Sequence, residues 1–310
     1  MLAPLQERHD VDVWPGDEAI PRAELLRRVA GKDALICVLS DRIDDEVLDA
    51  AGPQLKIVAD ISVGYDNFDV AALRRHGVIA TNTPDVLTEA TAELTWALIL
   101  GTARRVVEGD RLVRAGGWKG WTLDFMLGTE LRGKQLGIIG AGRIGRAVAA
   151  KAPAFGMTAV FAQRPGTPAT ATGEPKREAF ASSASFDEVL VSSDVISLHV
   201  PSTAETRNLI DRKAFARMKR SAFLINTARG AVVDEEALFW ALNERLIAGA
   251  GLDVYVNEPT IDPRFATYQN VVLAPHLGSA TRDTRLAMMN LAAANVLAVL
   301  DGQPPLTPIP

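Results

Sequence analysis

The chain has 310 residues, of which 48% are hydrophobic and 23% charged, and its 33 basic and 38 acidic side chains give a net charge of −5. This composition excludes a disordered, a collagen-like and a small disulfide-stapled protein, and it lacks the basic excess of a nucleic-acid binder. With one cysteine, Cys37, and four histidines, a Cys/His zinc site is not expected, and we predict no bound metal. The length predicts two domains.

The most apolar helical stretch, 91–107, is too short to cross a membrane. Its uncharged part, 94–103, is about half of the roughly 20 residues that a transmembrane helix needs. The first ten residues show no apolar run behind a basic start, so no signal peptide is predicted. We therefore expect a soluble, cytoplasmic protein with neither membrane nor nucleic-acid partners.

Two parts of the chain alternate short apolar runs with helical runs. In the first part, strands are predicted at 33–39, 55–59 and 77–81, with helices at 44–51 and 69–76 between them. In the second part, six strands are predicted, at 135–139, 158–161, 195–200, 222–226, 249–254 and 271–274. Continuous apolar strands separated by helices are typical of parallel sheets covered on both faces. The predicted fold class is α/β, with doubly wound parallel sheets.

Two long helices complete the predicted elements. The helix at 88–107 is apolar nearly all round, so it should be buried on several sides. The pattern leaves open whether it is an interdomain core helix or a subunit interface. A second helix is predicted at 279–300, where apolar residues recur at helical spacing before Gly302 and a proline-rich tail.

A glycine loop follows the first strand of the second part. The residues are Gly140-Ala141-Gly142-Arg143-Ile144-Gly145, with a helix predicted at 146–154. Strand, tight turn and helix are the context that a G-x-G-x-x-G pattern needs for dinucleotide binding. Gly140 would permit the turn, Gly142 would let the backbone approach a pyrophosphate, and Gly145 would let the helix pack on the strand. The alternative is a turn that merely needs glycine.

The residues after the next strand bear on the choice of dinucleotide. An NAD-preferring site usually has Asp or Glu about 20 residues past the glycine loop. This chain has Gln163 followed by Arg164, and a guanidinium can bind a 2′-phosphate bidentately. We predict that NADP(H) is preferred and that NAD(H) is possible. A solvated loop arginine is the alternative for Arg164.

Three polar residues each follow a predicted strand of the second part. Arg229 comes after 222–226, Glu258 after 249–254 and His276 after 271–274. Ligands of open α/β sheets bind at the carboxyl ends of the strands. Alone, each residue could be a surface cation, a loop carboxylate or a loop imidazole. Together, beside a dinucleotide loop, they offer an anion anchor, a carboxylate and an acid/base group.

Several ordered motifs resemble the D-isomer-specific 2-hydroxyacid dehydrogenase family over nearly the whole chain. Within that family, the run 64–67 and Arg164 are most similar to the glyoxylate/hydroxypyruvate reductases, including 2-ketogluconate reductases. The motifs are Val63-Gly64-Tyr65-Asp66-Asn67, the glycine loop, His199-Val200-Pro201 with Thr206, Asn226-Thr227-Ala228-Arg229-Gly230, Gly251-Leu252-Asp253-Val254, Glu258-Pro259 and Pro275-His276-Leu277-Gly278-Ser279. The resemblance implies NADPH-preferring reduction of a small 2-keto acid, such as glyoxylate, hydroxypyruvate or 2-ketogluconate, to the D-2-hydroxy acid.

The resemblance also implies a role for each catalytic residue. Arg229 would hold the substrate carboxylate and keto oxygen as a bidentate group. His276 would donate the proton, while Glu258 would orient the imidazole and favour its charged form. Backbone N–H groups of Val63 and Gly64 would complete the carboxylate site.

The implied cofactor-binding residues are spread over several loops. His199 is interpreted as a cofactor-wall residue, because the catalytic histidine of the family matches His276. The nicotinamide would be positioned by Thr91, Thr227, Ala228, Asp253, Gly278 and Ser279. The residues that would contact the rest of the dinucleotide are Gly140, Gly142, Arg143, Ile144, Gly145, Gln163, Arg164, His199, Pro201 and Thr206.

The implied organisation has two interleaved domains. Residues 1–86 and 275–310 would form a substrate (catalytic cap) domain, and 87–274 would form a dinucleotide-binding Rossmann domain, with the substrate in a cleft between them. Both would be doubly wound parallel sheets, and the helix at 88–107 would pack in a homodimer. Two features depart from the family: its opening strand is shortened or missing, and Asp60 places an unusual carboxylate near the substrate loop.

Two rival functions remain at this point. The same fold serves dinucleotide-sensing proteins and corepressors, in which the three polar residues would be present but unused. A second rival is a different dehydrogenase chemistry on the same scaffold, with phosphoglycerate, formate or phosphite as the substrate. A turnover assay over a panel of these substrates distinguishes the keto-acid reductase from the two rival functions.

Overall fold

The computed structural model describes residues 3–16, 18–163 and 180–309. The chain divides into two compact units, one formed by Met1–Leu87 with Ser279–Pro310 and the other by Thr88–Gly278. Each unit contains its own parallel sheet. The α/β class with parallel sheets that the alternating pattern predicts is thereby confirmed.

The smaller unit is built on a three-stranded parallel sheet in the order β1-β2-β3. One face of the sheet packs on the C-terminal helix through Ile57 and Ala59, and the other packs on the remaining helices through Val58. This is the alternation expected of a strand whose successive side chains point to opposite faces. The strands are β1 (Ala34–Cys37), β2 (Ile57–Asp60) and β3 (Ile79–Thr81), and the helices are α1 (Ala3–Gln6), α2 (Arg22–Val29), α3 (Asp45–Ala51), α4 (Val70–Arg75) and α11 (Arg282–Leu300).

The larger unit is built on a seven-stranded parallel sheet in the order β10-β9-β8-β7-β4-β5-β6. After β4, the strands β5 and β6 are added outward to one edge of the sheet. The strands from β7 to β10 are added on the other side of β4, outward to the opposite edge, so the strand order reverses between the neighbours β4 and β7. The strands are β4 (Gln135–Ile139), β5 (Thr158–Ala162), β6 (Ala181–Ala184), β7 (Val195–Leu198), β8 (Phe223–Asn226), β9 (Gly249–Leu252) and β10 (Val271–Leu273). The helices are α5 (Thr88–Ala103), α6 (Val106–Arg114), α7 (Arg143–Lys151), α8 (Phe186–Ser192), α9 (Arg212–Arg217) and α10 (Glu235–Asn243).

Short polar side chains begin many of the helices. The carboxylates of Asp44, Asp69, Asp211 and Asp234 each accept a backbone N–H from the first turn of the helix that follows. Ser185 and Glu188 form a reciprocal capping box at the start of α8. These contacts satisfy N–H groups that have no partner inside the helix, which is why the chain turns from strand or loop into helix at these residues.

Two predicted elements differ from the structure. The single helix predicted at 88–107 is two helices, because α5 ends at Ala103 and Arg105 adopts a left-handed backbone with φ 55° before α6. The sheet of the larger unit has a seventh strand, β6, that the apolar pattern missed. Its sequence is Ala-Ser-Ser-Ala and it lies at the edge of the sheet, where a strand does not need an apolar side chain on each face.

Within the described ranges, none of the helices is long and apolar enough to cross a membrane. In α5, ten residues are buried, and the helix packs on β8, β9, β10 and α7 of its own unit. Helix α5 is therefore apolar on several sides because it is buried in the core of the larger unit.

Candidate active site

The glycine loop connects β4 to α7 at the point where the sheet changes direction. Gly140 has φ +109°, and a Cβ there would lie 2.4 Å from the carbonyl oxygen of His199. A Cβ on Gly145 would lie 2.0 Å from the carbonyl oxygen of Gly140. Gly142 is different, because no atom of the described residues, its chain neighbours aside, lies within 4 Å of its hypothetical Cβ. Two of the glycines are therefore required by the fold itself, and the third leaves open space in front of the N-terminus of α7.

The end of β7 lies beside this loop. His199 follows the strand directly, donates its backbone N–H to the carbonyl oxygen of Ile139, and places its Nε2 2.8 Å from Oγ of Ser197. Burial lowers the pKa of His199 to about 3, so the ring is neutral near neutral pH. In the loop that follows, the hydroxyl of Thr206 donates to the carbonyl oxygen of Pro201 at 2.5 Å.

Of the two residues expected to select the dinucleotide, Gln163 lies within the described part of the chain. Gln163 follows β5, where its backbone N–H donates to the carbonyl oxygen of Ala184 at 2.9 Å. Arg164 lies outside the described residues. Arg143 and Ile144 form the first turn of α7, directly after Gly142.

The loops after β8, β9 and β10 carry Arg229, Glu258 and His276, and these three strands are neighbours in the sheet. Nδ1 of His276 lies 2.7 Å from Oε2 of Glu258, and about a third of each side chain is exposed (31% and 30%). The other oxygen of Glu258 accepts the backbone N–H of Tyr255 at 2.7 Å.

The environment of Glu258 favours its charged form. Burial alone would raise the pKa of this carboxyl group. The hydrogen bonds from His276 and from the Tyr255 N–H, together with the positive charges of His276 and Arg229, outweigh burial and hold the pKa below its ordinary value. An ionised Glu258 can only accept hydrogen bonds, so it holds the proton on Nδ1 of His276 and leaves Nε2 for another partner.

Asp253 holds the backbone of the His276 loop. Its carboxylate accepts the backbone N–H of Leu277 at 2.6 Å and that of Gly278 at 2.9 Å, and its carbonyl oxygen accepts the N–H of His276 at 2.9 Å. Burial raises the pKa of Asp253, and the two N–H groups and the nearby His276 only partly oppose that shift. His276 has a left-handed backbone with φ 55°, a conformation that is uncommon outside glycine and that costs free energy.

The loop that carries Arg229 is held by Asn226 and by a close approach to the next loop. The Asn226 side chain donates to the carbonyl oxygen of Arg229 at 2.9 Å and accepts the N–H of Ala228 at 3.0 Å. A Cβ on Gly230 would lie 1.9 Å from the carbonyl carbon of Tyr255. The absence of a side chain at Gly230 therefore lets the Arg229 loop pack directly against the chain that leads to Glu258.

Two threonine hydroxyl groups connect the Arg229 loop to α5. The Thr227 hydroxyl lies 3.0 Å from that of Thr95, and the Thr95 hydroxyl donates to the carbonyl oxygen of Thr91 at 2.8 Å. Because the single proton of Thr95 is given to Thr91, Thr227 must be the donor in the first contact. The Cβ that Gly278 lacks would lie 3.5 Å from Thr91, so the nicotinamide-positioning residues predicted in the larger unit are neighbours.

A pocket of about 280 Å³ opens beside the paired imidazole and carboxylate. Apart from these two polar residues and Tyr255, its lining is apolar: Pro259, Ile261, Leu273, Ala274 and Pro275. In the described part of the chain, we find no group of three or more His, Cys, Asp or Glu side chains that could hold a metal ion. The arrangement is suited to proton transfer from an oriented imidazole.

The other predicted substrate residues belong to the smaller unit. Val63 and Gly64 lie in the loop after β2, and Ser279, which was predicted to position the nicotinamide, also belongs to this unit and lies just before α11. The carbonyl oxygen of Val63 accepts a hydrogen bond from Nδ2 of Asn82 at 2.8 Å. Asp60, the unusual carboxylate at the end of β2, is fully buried.

Sequence reasoning assigned no role to Tyr255, Thr95 or Asn226. Besides holding Glu258 with its N–H, Tyr255 donates its hydroxyl to the carbonyl oxygen of Ala274 at 3.0 Å, and the same hydroxyl lies 3.3 Å from the carbonyl oxygen of Leu252. It thus connects the ends of β9 and β10. Only Asn226 had a sequence signal, as part of a quoted motif. The other two act through contacts between loops, which leave no pattern along the chain.

Comparison with known proteins identifies the family. Residues 96–278 match the family model described as D-isomer specific 2-hydroxyacid dehydrogenase, NAD binding domain. The chain belongs to this family. A glyoxylate reductase of Thermococcus kodakarensis is 47% identical over 98% of this chain and 90% of its own length.

Solved structures show the same likeness. The TT0316 protein of Thermus thermophilus is 47% identical, with a TM-score of 0.91 over 100% of this chain and 96% of its own. An NADPH-dependent glyoxylate/hydroxypyruvate reductase of Sinorhizobium meliloti, solved with NADP and malonate, is 34% identical. Its TM-score is 0.80 over 89% of this chain and 83% of its own.

The D-2-hydroxyacid dehydrogenase family fixes the general chemistry. The protein is an oxidoreductase of this family, and its larger unit is a domain that binds a nicotinamide dinucleotide. The residues of this chain fit that group, because Gly142 leaves open space before the α7 N-terminus and its N–H groups can meet a pyrophosphate.

Proposed function

We propose that the protein reduces a small 2-keto acid (glyoxylate, hydroxypyruvate or 2-ketogluconate) to the D-2-hydroxy acid with a preference for NADPH. The single observation that carries this proposal is the 2.7 Å hydrogen bond between His276 and Glu258, at the ends of neighbouring strands. It creates an imidazole with one nitrogen fixed and the other available as a proton donor. The names of the Thermococcus and Sinorhizobium relatives support the substrate class.

Each site residue has a separate role in the proposed reaction. Arg229 binds the substrate carboxylate and keto oxygen, and the N–H groups of Val63 and Gly64 donate to the carboxylate. When bound, the reduced nicotinamide supplies the hydride to the keto carbon. His276 delivers the proton from Nε2 to the oxygen on which negative charge develops, and Glu258 stabilises the imidazolium before that transfer. The product gains one hydride at carbon and one proton at oxygen.

The proposal is tested by His276→Ala in a turnover assay with NADPH and a panel of keto acids. We expect kcat for the best substrate to fall by about 10²- to 10⁴-fold, while NADPH binding by fluorescence titration persists. An equal loss of binding and turnover would contradict the proton-donor role. Including 3-phosphoglycerate, formate and phosphite in the panel tests the rival substrates, and no oxidation of NADPH by the wild type at high concentration would favour a binding protein.

The preference for NADPH is proposed from sequence and from one relative. Gln163 stands where NAD-preferring sites have a carboxylate, Arg164 follows it, and the Sinorhizobium relative is named as NADPH-dependent. Arg164→Ala should weaken NADPH binding far more than NADH binding, because only NADPH carries the 2′-phosphate. Parallel losses for the two cofactors would refute this assignment.

We also propose that the protein is a homodimer, and that α6 and the segment after it contribute to the interface together with the predicted 88–107 region. The predicted helix at 88–107 is largely covered within its own unit, whereas large apolar side chains are exposed on α6 and in the segment after it. These are Val106, Val113, Trp118, Trp121, Leu123 and Leu127, which are 58–84% exposed. Exposed apolar surface of this kind marks interaction sites. Trp121→Ser with Leu123→Ser should convert a dimer to a monomer in sedimentation experiments; an unchanged dimer would exclude this surface.

A further inference from the structure

The loop after β2 is held by the residues that follow β3. The Ser62 carbonyl oxygen accepts the backbone N–H of Thr83 at 2.7 Å and its hydroxyl at 3.0 Å. The carbonyl oxygen of Val63 accepts Nδ2 of Asn82 at 2.8 Å. A trans peptide is planar, and its N–H points away from its C=O. Holding these two carbonyl groups therefore also fixes the direction of the N–H groups of Val63 and Gly64, which are the two proposed to donate to the substrate carboxylate.

Asn82 is held in turn by Thr307, in the segment 303–309 that follows α11. The Asn82 backbone N–H donates to the carbonyl oxygen of Thr307 at 3.3 Å, and the Thr307 hydroxyl donates to the carbonyl oxygen of Asn82 at 2.6 Å. Two residues further on, the N–H of Ile309 donates to the carbonyl oxygen of Ala80 at 2.9 Å. The segment 303–309 thus pairs, in antiparallel direction, with the edge of β3 that β2 leaves open.

A buried asparagine anchors this segment on α11. Of the six buried residues of α11, five are apolar and the sixth is Asn295, which is fully buried. Its Oδ1 accepts the backbone N–H groups of Leu306 and Thr307, at 2.9 and 3.0 Å. Its Nδ2 donates to the carbonyl oxygen of Leu291 and to the hydroxyl of Thr307, both at 2.9 Å. The side-chain amide therefore has four hydrogen bonds, which offset the cost of burying it among apolar side chains.

The direction of each bond follows from counting protons. A backbone carbonyl oxygen only accepts, so the single proton of the Thr307 hydroxyl is given to Asn82. The same hydroxyl then accepts from Nδ2 of Asn295. Backbone N–H groups only donate, so it is the oxygen of the Asn295 amide that meets those of Leu306 and Thr307. Hydrogen bonds thus connect Asn295 through Thr307 and Asn82 to the carbonyl oxygen of Val63.

We propose that Asn295 and Thr307 are positioning residues of the substrate site. Asn295 fixes Thr307, Thr307 fixes the backbone of Asn82, and the Asn82 side chain sets the orientation of the Val63–Gly64 peptide. This inference rests on the proposed function, because it takes the Gly64 N–H as a donor to the substrate carboxylate. The proline-rich segment after α11 thereby has a role in substrate binding.

Kinetics of Thr307 variants test the positioning role. In Thr307→Val, which lacks the hydroxyl, we expect KM for glyoxylate to rise about threefold to tenfold, while kcat and NADPH affinity stay within about twofold, because the loosened peptide binds the carboxylate less well. Thr307→Ser, which keeps the hydroxyl, should restore most of the affinity. Thr81→Val is the matched control, because the Thr81 hydroxyl is buried in β3 and has no hydrogen-bond partner in the described residues.

The same variants distinguish positioning from support of the fold. If these bonds only stabilised the smaller unit, Thr307→Val would lower the melting temperature and leave KM unchanged, and that result would overturn the role. A rise in KM that Thr307→Ser does not reverse would also overturn it. Asn295→Ala should raise KM at least as much as Thr307→Val, and a wild-type KM in folded Asn295→Ala would exclude Asn295. The Thr307 variants keep the Asn295 amide, so their test does not depend on the folding of Asn295→Ala.

A double-mutant cycle tests whether Thr307 acts through Asn82. Asn82→Ala removes the hydrogen bond to the Val63 carbonyl oxygen directly, so KM should rise at least as much as in Thr307→Val. When the two changes are combined, KM should stay within about twofold of its value in Asn82→Ala, because Thr307 has no further route to the loop after β2. Increases in KM that multiply would contradict this route.

Anion binding separates this inference from the proposed function, because it needs no turnover. Calorimetry with oxalate on the NADPH-saturated protein measures it directly. If the wild type reduced no keto acid, the proposed function would fail. Weaker oxalate binding in Thr307→Val than in Thr81→Val would still support the positioning of an anion site. Equal binding in the two variants would count against it.

Discussion

Glu258 holds the imidazole of His276 through a 2.7 Å hydrogen bond to Nδ1, and the pKa of the carboxyl group lies below its ordinary value. Glu258→Gln should therefore lower kcat at least about tenfold, because the neutral amide can neither stabilise the imidazolium nor enforce one orientation of the ring. Steady-state rates with glyoxylate and NADPH provide the measurement. NADPH affinity should be unchanged. A variant with wild-type kcat would show that the pair is not catalytic.

Arg229 should not tolerate replacement by lysine. Lysine keeps the positive charge but lacks the planar fork that can bind a carboxylate and a keto oxygen at once. Arg229→Lys should raise KM for the keto acid and lower kcat together, each by about tenfold or more, because the contact acts in both the ground and the transition state. The exposed Arg217, which is ion-paired with Asp187, provides a control in Arg217→Lys. If charge alone suffices, both variants will behave like the wild type.

Two glycines of one loop should respond differently to the same substitution. A Cβ at Gly145 would lie 2.0 Å from the carbonyl oxygen of Gly140, whereas none of the described atoms lies within 4 Å of a Cβ at Gly142. Gly145→Ala should destabilise the protein by about 1–3 kcal/mol or more. Gly142→Ala should leave the melting temperature unchanged and weaken NADPH binding. Thermal melts and fluorescence titrations distinguish the two, and a Gly142→Ala protein that binds NADPH normally would contradict the pyrophosphate assignment.

The buried histidine at the end of β7 makes stability depend on pH. The pKa of His199 is about 3 in the folded protein, against 6.5 as its ordinary value. Between these values the unfolded chain binds a proton that the folded chain does not, so stability falls as the pH drops from 6.5 toward 3. In His199→Asn this contribution should disappear. The melting temperature of the variant should then fall less than that of the wild type between about pH 7 and about pH 4. Parallel curves would show that His199 does not titrate in this window.

The sequence predicted most of what depends on the backbone and little of what depends on contacts between loops. Continuous apolar runs predicted the parallel strands, and the spacing of Gly140, Gly142 and Gly145 predicted the turn between β4 and α7. The edge strand β6 escaped prediction because its exposed Ser182 and Ser183 carry no apolar signal. The break at Arg105 also escaped prediction, since the apolar residues continue across it.

The same limit applies to the site. Polar residues at strand ends were sufficient to single out Arg229, Glu258 and His276. The residues that hold them were not visible, because Tyr255 acts through a backbone N–H and a hydroxyl directed at carbonyl groups of two different strands. Such contacts depend on the register of neighbouring strands, and the register is a property of the folded sheet.

At His276, the left-handed backbone favours glycine for stability, whereas the proposed proton transfer needs the imidazole. An L-amino acid loses roughly 1–2 kcal/mol in this conformation, whereas glycine loses almost none. The three hydrogen bonds that Asp253 accepts from the backbone N–H groups of residues 276–278 keep the loop in place despite that loss. The backbone at this position therefore favours a residue that has no imidazole. Selection for heat resistance alone would tend to replace His276 with glycine or asparagine, so libraries screened for thermostability need a parallel screen for turnover.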